Sequence, residues 1–185
     1  MTPNSKLKPI VSKPIHPIEN VTLENIRIDC LGGGTEKDAR REVPEHAEKN
    51  PGERMFGTLP AYGFFCRHVK NLEFHNVELS FQHDDRRPAM IFDDVAGLEL
   101  LNVDAQTIAK APAVMWLKGV EGAMIHGSRP RVTAGPLLRV DGRRSRDISV
   151  MNNDFAHVKR VLQIGEDVSK DAVYFGPNRT GAASE

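Results

Sequence analysis

The 185-residue chain is poor in cysteine: it has only Cys30 and Cys66, with no C-x-x-C spacing. That excludes a disulfide framework and a thiolate zinc site, and both residues are read as buried small apolar side chains. Neither sign of charge is in excess, with 25 basic and 25 acidic residues. Nucleic acid or an anionic membrane surface would need a concentrated basic face, so neither is an expected partner. No apolar run approaches the roughly 18 residues that a membrane-spanning helix needs. The opening segment MTPNSKLKPIVSKPIHP is basic and proline-rich but has no apolar stretch of the signal-peptide kind, and residues 1–17 are read as an extended leader. His68, His75, His83, His126 and His157 share no metal-ligand spacing, so neither a metal nor a cofactor is expected.

What the chain does contain is a repeat. The segments starting at Leu72, Leu98, Ala123, Ile148 and Ala172 superimpose at intervals of 24 to 26 positions, and a further copy starting at Val21 lies two periods before Leu72. Each alternates apolar and polar residues, as a strand with one buried face does. Four positions on, every copy carries Asn or Gly: Asn25, Asn76, Asn102, Gly127, Asn152 and Gly176. These residue types tolerate the left-handed backbone of a tight corner, and stacked asparagines can bond one another along the stack. A second strand precedes each segment, at Tyr62–Cys66, Ala89–Phe92, Val114–Leu117 and Leu137–Val140. A period of about 25 residues leaves no room for a helix of ordinary length, and a propeller blade needs about 40. The expected fold is all-β: a right-handed parallel β-helix, a pectin-lyase-like solenoid of about six coils of about 25 residues spanning 18–177.

Residues 32–58 break the pattern. They are polar, charged and glycine-rich, and they form either a wall of a cleft or a mobile insertion. The two periods between Val21 and Leu72 leave open whether a coil is hidden there or replaced by this loop. A shorter loop, 82–88, carries Asp84 and Asp85 beside His83, Arg86 and Arg87, and its arginines suit a uronate carboxylate. Residues 178–185 are small and polar and are read as a flexible tail. A solenoid exposes strand edges at uncovered ends, so the first coil is expected to need either further coils of the same helix or a second copy packed end to end.

The strings IENVTLENIRI, FGTLPAYGFFCRHVKNLEFHNVELSF and DDRRPAMIFDDVAGLELLNV resemble the distal coils of glycoside hydrolase family 28, the polygalacturonase and rhamnogalacturonase group. The resemblance covers about residues 15–110 and extends more weakly to about 175. It implies a pectic polysaccharide as partner, cleaved with inversion by paired aspartates in a usually secreted or periplasmic setting. The family motifs N-x-D, D-D, G-H-G and R-x-K do not occur here in that order. Asp93-Asp94 falls at a coil corner, Ile125 precedes His126-Gly127 where a glycine would stand, and Arg67 to Lys70 has the wrong spacing for R-x-K.

Inverting hydrolysis needs two carboxyls about 6.5–9.5 Å apart. Adjacent aspartates on a strand face opposite ways, so Asp93-Asp94 supplies at most one group to a given surface. The expectation is the carboxy-terminal β-helix portion of a pectin-degrading hydrolase, lacking its own catalytic aspartates. The alternatives are an active hydrolase with a nonstandard site near Asp84 or Asp85, and a non-enzymatic polysaccharide-binding or assembly module. Substrate-binding candidates are Tyr62, Arg67, His68, His83, Arg86 and Arg87, with Trp116 either stacking on sugar rings or packing on the coil surface.

Overall fold

Alternating side chains bury one face of a strand only if neighbouring strands keep the same register. The computed structural model, which describes residues 10–11, 17–45, 56–130 and 135–181, shows that register held throughout. Val21 pairs with Leu72, Leu72 with Leu98, Leu98 with Ala123, Ala123 with Ile148, and Ile148 with Val173, always between parallel strands. The molecule is a parallel β-solenoid with almost no helix.

The long strands β2 (Ile18–Gly32), β3 (Phe64–His83) and β4 (Met90–Ala105) wrap around the coil. In later turns the same path is split, into β5 (Met115–Lys118) with β6 (Glu121–His126), β7 (Leu138–Asp141) with β8 (Arg146–Val150), and β10 (Leu162–Ile164) with β11 (Val173–Phe175). Because β2 pairs directly with β3, no coil is hidden between them. The described residues between these strands, 33–45 and 56–63, lie outside the strands of the solenoid. A short strand β1 (Ile10–Val11) pairs with Cys66 and Arg67, so part of the expected leader is a strand of the first rung. The rest of the leader, 1–9 and 12–16, lies outside the described residues.

Single left-handed residues turn the corners, in three columns. One is His68, Asp94, Gly119 and Gly142; the second is Asn20, Asn71, Gly97, Gly122 and Asp147; the third is Asn25, Asn76, Asn102, Gly127 and Asn152. The sequence identified the third column, except in the last copy. There Val173, not Ala172, pairs with Ile148, and Gly176 is not left-handed. Gly142 is required for a second reason: a Cβ there would meet the Gly119 amide nitrogen at 2.7 Å.

The asparagines do form a ladder, each side-chain amide donating to the rung before. Asn102 Nδ2 donates to Asn76 Oδ1 (3.0 Å), Asn76 to Asn25 (2.7 Å) and Asn71 to Asn20 (2.9 Å). A buried polar column runs beside it, in which Ser128 Oγ, Asn153 Oδ1 and Asn178 Oδ1 each accept the backbone N–H one coil earlier, at 3.0–3.1 Å. Asn178 and β12 (Arg179–Thr180, paired with β9, Asp154–Phe155) therefore belong to the fold rather than to the expected tail, and 182–185 lie outside the described residues. Inside the coil, Phe74 packs edge-on between Phe64 (5.0 Å) and Phe92 (5.8 Å). Both cysteines are buried and free, as their spacing implied.

Candidate functional site

Residues facing outward on the strands that precede the first corner form two columns on the flank of the solenoid. Phe65, Ile91, Trp116 and Arg139 lie side by side in one, and Arg67, Asp93, Lys118 and Asp141 in the other. The second column alternates in sign along the solenoid axis. Its members sit one strand spacing apart, about 4.8 Å, which is close enough for charges to govern one another.

The 33–63 excursion folds back over this flank. Thr35 caps the short helix α1 (Glu36–Ala39) through a reciprocal capping box with Asp38. Val43, Phe56 and Ala61 then bury against Phe65 and Ile91 as a second small core outside the coil. Polar contacts fix the same segment. Arg67 donates to the Val43 carbonyl (2.7 Å) and reaches Glu45 (3.3 Å), while His68 Nε2 lies 3.0 Å from Glu45 and its Nδ1 lies 2.5 Å from Asp94. Of the two sequence readings of this loop, the cleft wall is what its described residues form, while 46–55 lie outside them.

A cleft of about 460 Å³ lies between this wall and the flank, with Arg40, Arg41, Val43 and Pro60 on the wall and Phe65, Arg67, Asp93, Trp116 and Lys118 on the floor. That volume suits a small ligand or a short stretch of an oligomer. Arg67 is spoken for, with Asp93 at 2.7 Å. The Trp116 indole N–H donates to Asp141 (2.6 Å), and the Arg139 guanidinium lies 4.4 Å from the ring centroid. Lys118 is different. Its ammonium lies 4.0 Å from the Trp116 ring centroid and has no ion pair among the described residues. Burial pushes its pKa down, partly offset by the charges of Asp93 and Asp141. Arg41 likewise has no ion pair among the described residues, and its guanidinium lies against Gly57.

Few of the sequence candidates meet here. Arg67 reaches the cleft, and His68 lies buried behind it, holding the wall. Tyr62 is a core residue: it is buried, its ring packs edge-on against Phe81 at 5.3 Å, and its hydroxyl donates to the Gln106 carbonyl (2.6 Å). It cannot stack on a sugar. His83 and Asp84 are exposed and lie off the cleft lining, as does Arg86. Asp85 is fully buried rather than solvent-facing, and both its oxygens are occupied. Oδ1 accepts from the Arg87 amide and Nε (2.9 Å each), and Oδ2 accepts from Arg87 NH2 (2.6 Å) and the Gly34 amide (3.0 Å). Asp85 and Arg87 thus clamp the 82–88 loop to the start of the excursion, leaving neither free for a polysaccharide. Asp94 is likewise held, by His68 and Arg144.

Lys118 and Arg41 were missed, although the repeat contained a signal for the first. Lys118 follows Arg67 by two periods and so occupies the same outward column. Among the described residues no group of three or more His, Cys, Asp or Glu side chains is arranged to hold a metal ion. No family model, curated protein or solved structure matches the chain.

Proposed function

We propose that this chain is the carboxy-terminal β-helix portion of a pectin-degrading hydrolase of the polygalacturonase type. In this reading its flank cleft holds uronate carboxylates of the polysaccharide and does not supply the hydrolytic acid and base. The observation that carries the proposal is Lys118, a partly desolvated ammonium with no ion-pair partner among the described residues, set beside the half-buried Trp116 in a cleft that also presents Arg41. A desolvated cation gains most from an anion that completes its pairing, and a sugar carboxylate has the right charge, with a ring able to lie along Trp116. The sequence resemblance supplies the substrate class. The carboxylates Asp85, Asp93 and Asp94 are each tied to cationic or imidazole partners, which suits a binding wall better than proton transfer.

Trp116 is the only tryptophan of the chain, so its fluorescence reports on the cleft alone. Titration with oligogalacturonates is expected to give a saturable change that weakens with salt. Lys118→Met should raise Kd by about tenfold to a hundredfold, the worth of one charge-assisted bond. The purified chain should release no reducing sugar from polygalacturonate. Equal affinity for uncharged oligosaccharides of the same length, an unchanged Kd in Lys118→Met, or sugar release would each sink the reading.

A further inference from the structure

We infer that the outer edge of β2 is a docking surface for one more parallel β-coil, bearing asparagine at two corners and supplied by a polypeptide segment other than a second copy of this chain. The inference rests on the fold, and a failure of oligouronate binding leaves it untouched.

Four observations converge on that edge. First, β2 pairs with β3 along one side over fifteen residues, and no described strand lies on its other side. Second, the inward side chains of this rung, Ile18, Val21, Leu23, Ile26 and Ile28, are only partly buried. Their register partners one rung in, Val69, Leu72, Phe74, Val77 and Leu79, are no more than 1% exposed. Among the described residues, the difference is that no strand covers β2 on its other side. Third, the inward positions of β2 are aliphatic residues and Cys30, with no proline or inward charge of the kind that protects a true edge strand.

The fourth observation identifies the occupant. The asparagine ladder is directional, each amide donating to the rung before it. Asn20 and Asn25 accept from Asn71 and Asn76, so their own Nδ2 groups are the donors left at the end of the ladder. Neither Nδ2 makes a hydrogen bond to a described residue. A preceding rung carrying Asn Oδ1 at both corners would accept them, and a parallel strand between those corners would take up the open backbone groups.

A second copy stacked end to end does not meet these demands. The last rung continues the two columns with Ala172 and Pro177, neither of which offers a side-chain acceptor, and Pro177 also lacks an N–H. Its strand β11 is three residues long against the fifteen of β2.

Hydrogen exchange tests this. In the unmodified chain, the β2 amides that point away from β3 should exchange without protection and independently of protein concentration. A copy of residues 64–89 inserted between Leu7 and Lys8 puts a coil with both asparagines in register, because Ile10 then follows the grafted Cys66 at the spacing of Cys66 to Phe92. The graft should slow those amides by about tenfold or more, and by less when its copies of Asn71 and Asn76 are both alanine. Outward β2 amides already as slow as those of β3, or slowed only with rising concentration, would overturn the inference in favour of self-coverage or a second copy. Unslowed exchange with the graft, whether the graft folds or not, would show that the edge does not accept such a coil.

Discussion

Asp85→Ala is expected to destabilise the chain by about 3–5 kcal/mol, the cost of leaving a buried charge without its partner. The carboxylate is fully buried and satisfies Arg87 and two backbone N–H groups at once, so the substitution strands a guanidinium and frees the Gly34 amide. For a domain of this size that means a fall in Tm of roughly 6–20 °C, measured by thermal unfolding. Asp84→Ala, at an exposed neighbour with no side-chain bond among the described residues, should move it by less than about 2 °C. Similar losses from the two would show that the clamp does not hold the loops together.

The same group sets an acid dependence. Burial alone would raise the Asp85 carboxyl, but the Arg87 and Gly34 bonds outweigh it and hold the group below its ordinary value. A carboxyl depressed in the folded state stabilises above its unfolded pKa of about 3.9, and that contribution is lost as pH falls through the folded value. Tm should therefore drop on acidification below about pH 4, and Asp85→Asn should flatten that drop while lowering Tm at neutral pH. Parallel acid limbs for the two proteins would refute the assignment.

Phe74→Ala is expected to cost about 3–5 kcal/mol through lost burial and the cavity left in the coil. Phe74 is wholly buried and touches aromatic rings both on its own rung and on the next, so neither neighbour can collapse into the space without leaving its column. Urea unfolding should show a lower midpoint with an unchanged slope. Leu23→Ala, at the register partner one rung out, should cost far less because that side chain is only partly buried.

The repeat was legible because a solenoid uses the same columns on every turn. Asn76 and Asn102 mark a corner, and Leu72 and Leu98 an inward face, wherever the period places them. The start of the last copy slipped by one residue because Gly176 mimics the corner residue, whereas the register depends on backbone pairing of Val173. The site was less legible for a physical reason. Asp85, Arg87 and Tyr62 look like surface chemistry in a local reading, yet their partners are Gly34, Leu59 and Gln106, which only the folded chain brings near. Lys118 looked unremarkable because what sets it apart is that its neighbours Asp93 and Asp141 pair with Arg67 and Arg139 instead, which a linear chain cannot display.

The buried column of Ser128, Asn153 and Asn178 has a consequence for how the molecule comes apart. In a stack where each turn touches only its neighbours, melting starts at the weaker end and travels. Those side chains rivet the distal turns together, while β2 has a neighbour on one side only among the described strands. Heat should therefore peel the chain from the β2 side. The cleft wall is anchored between β2 and β3, so ligand capture should fail at a temperature where most of the far-end turns are still intact.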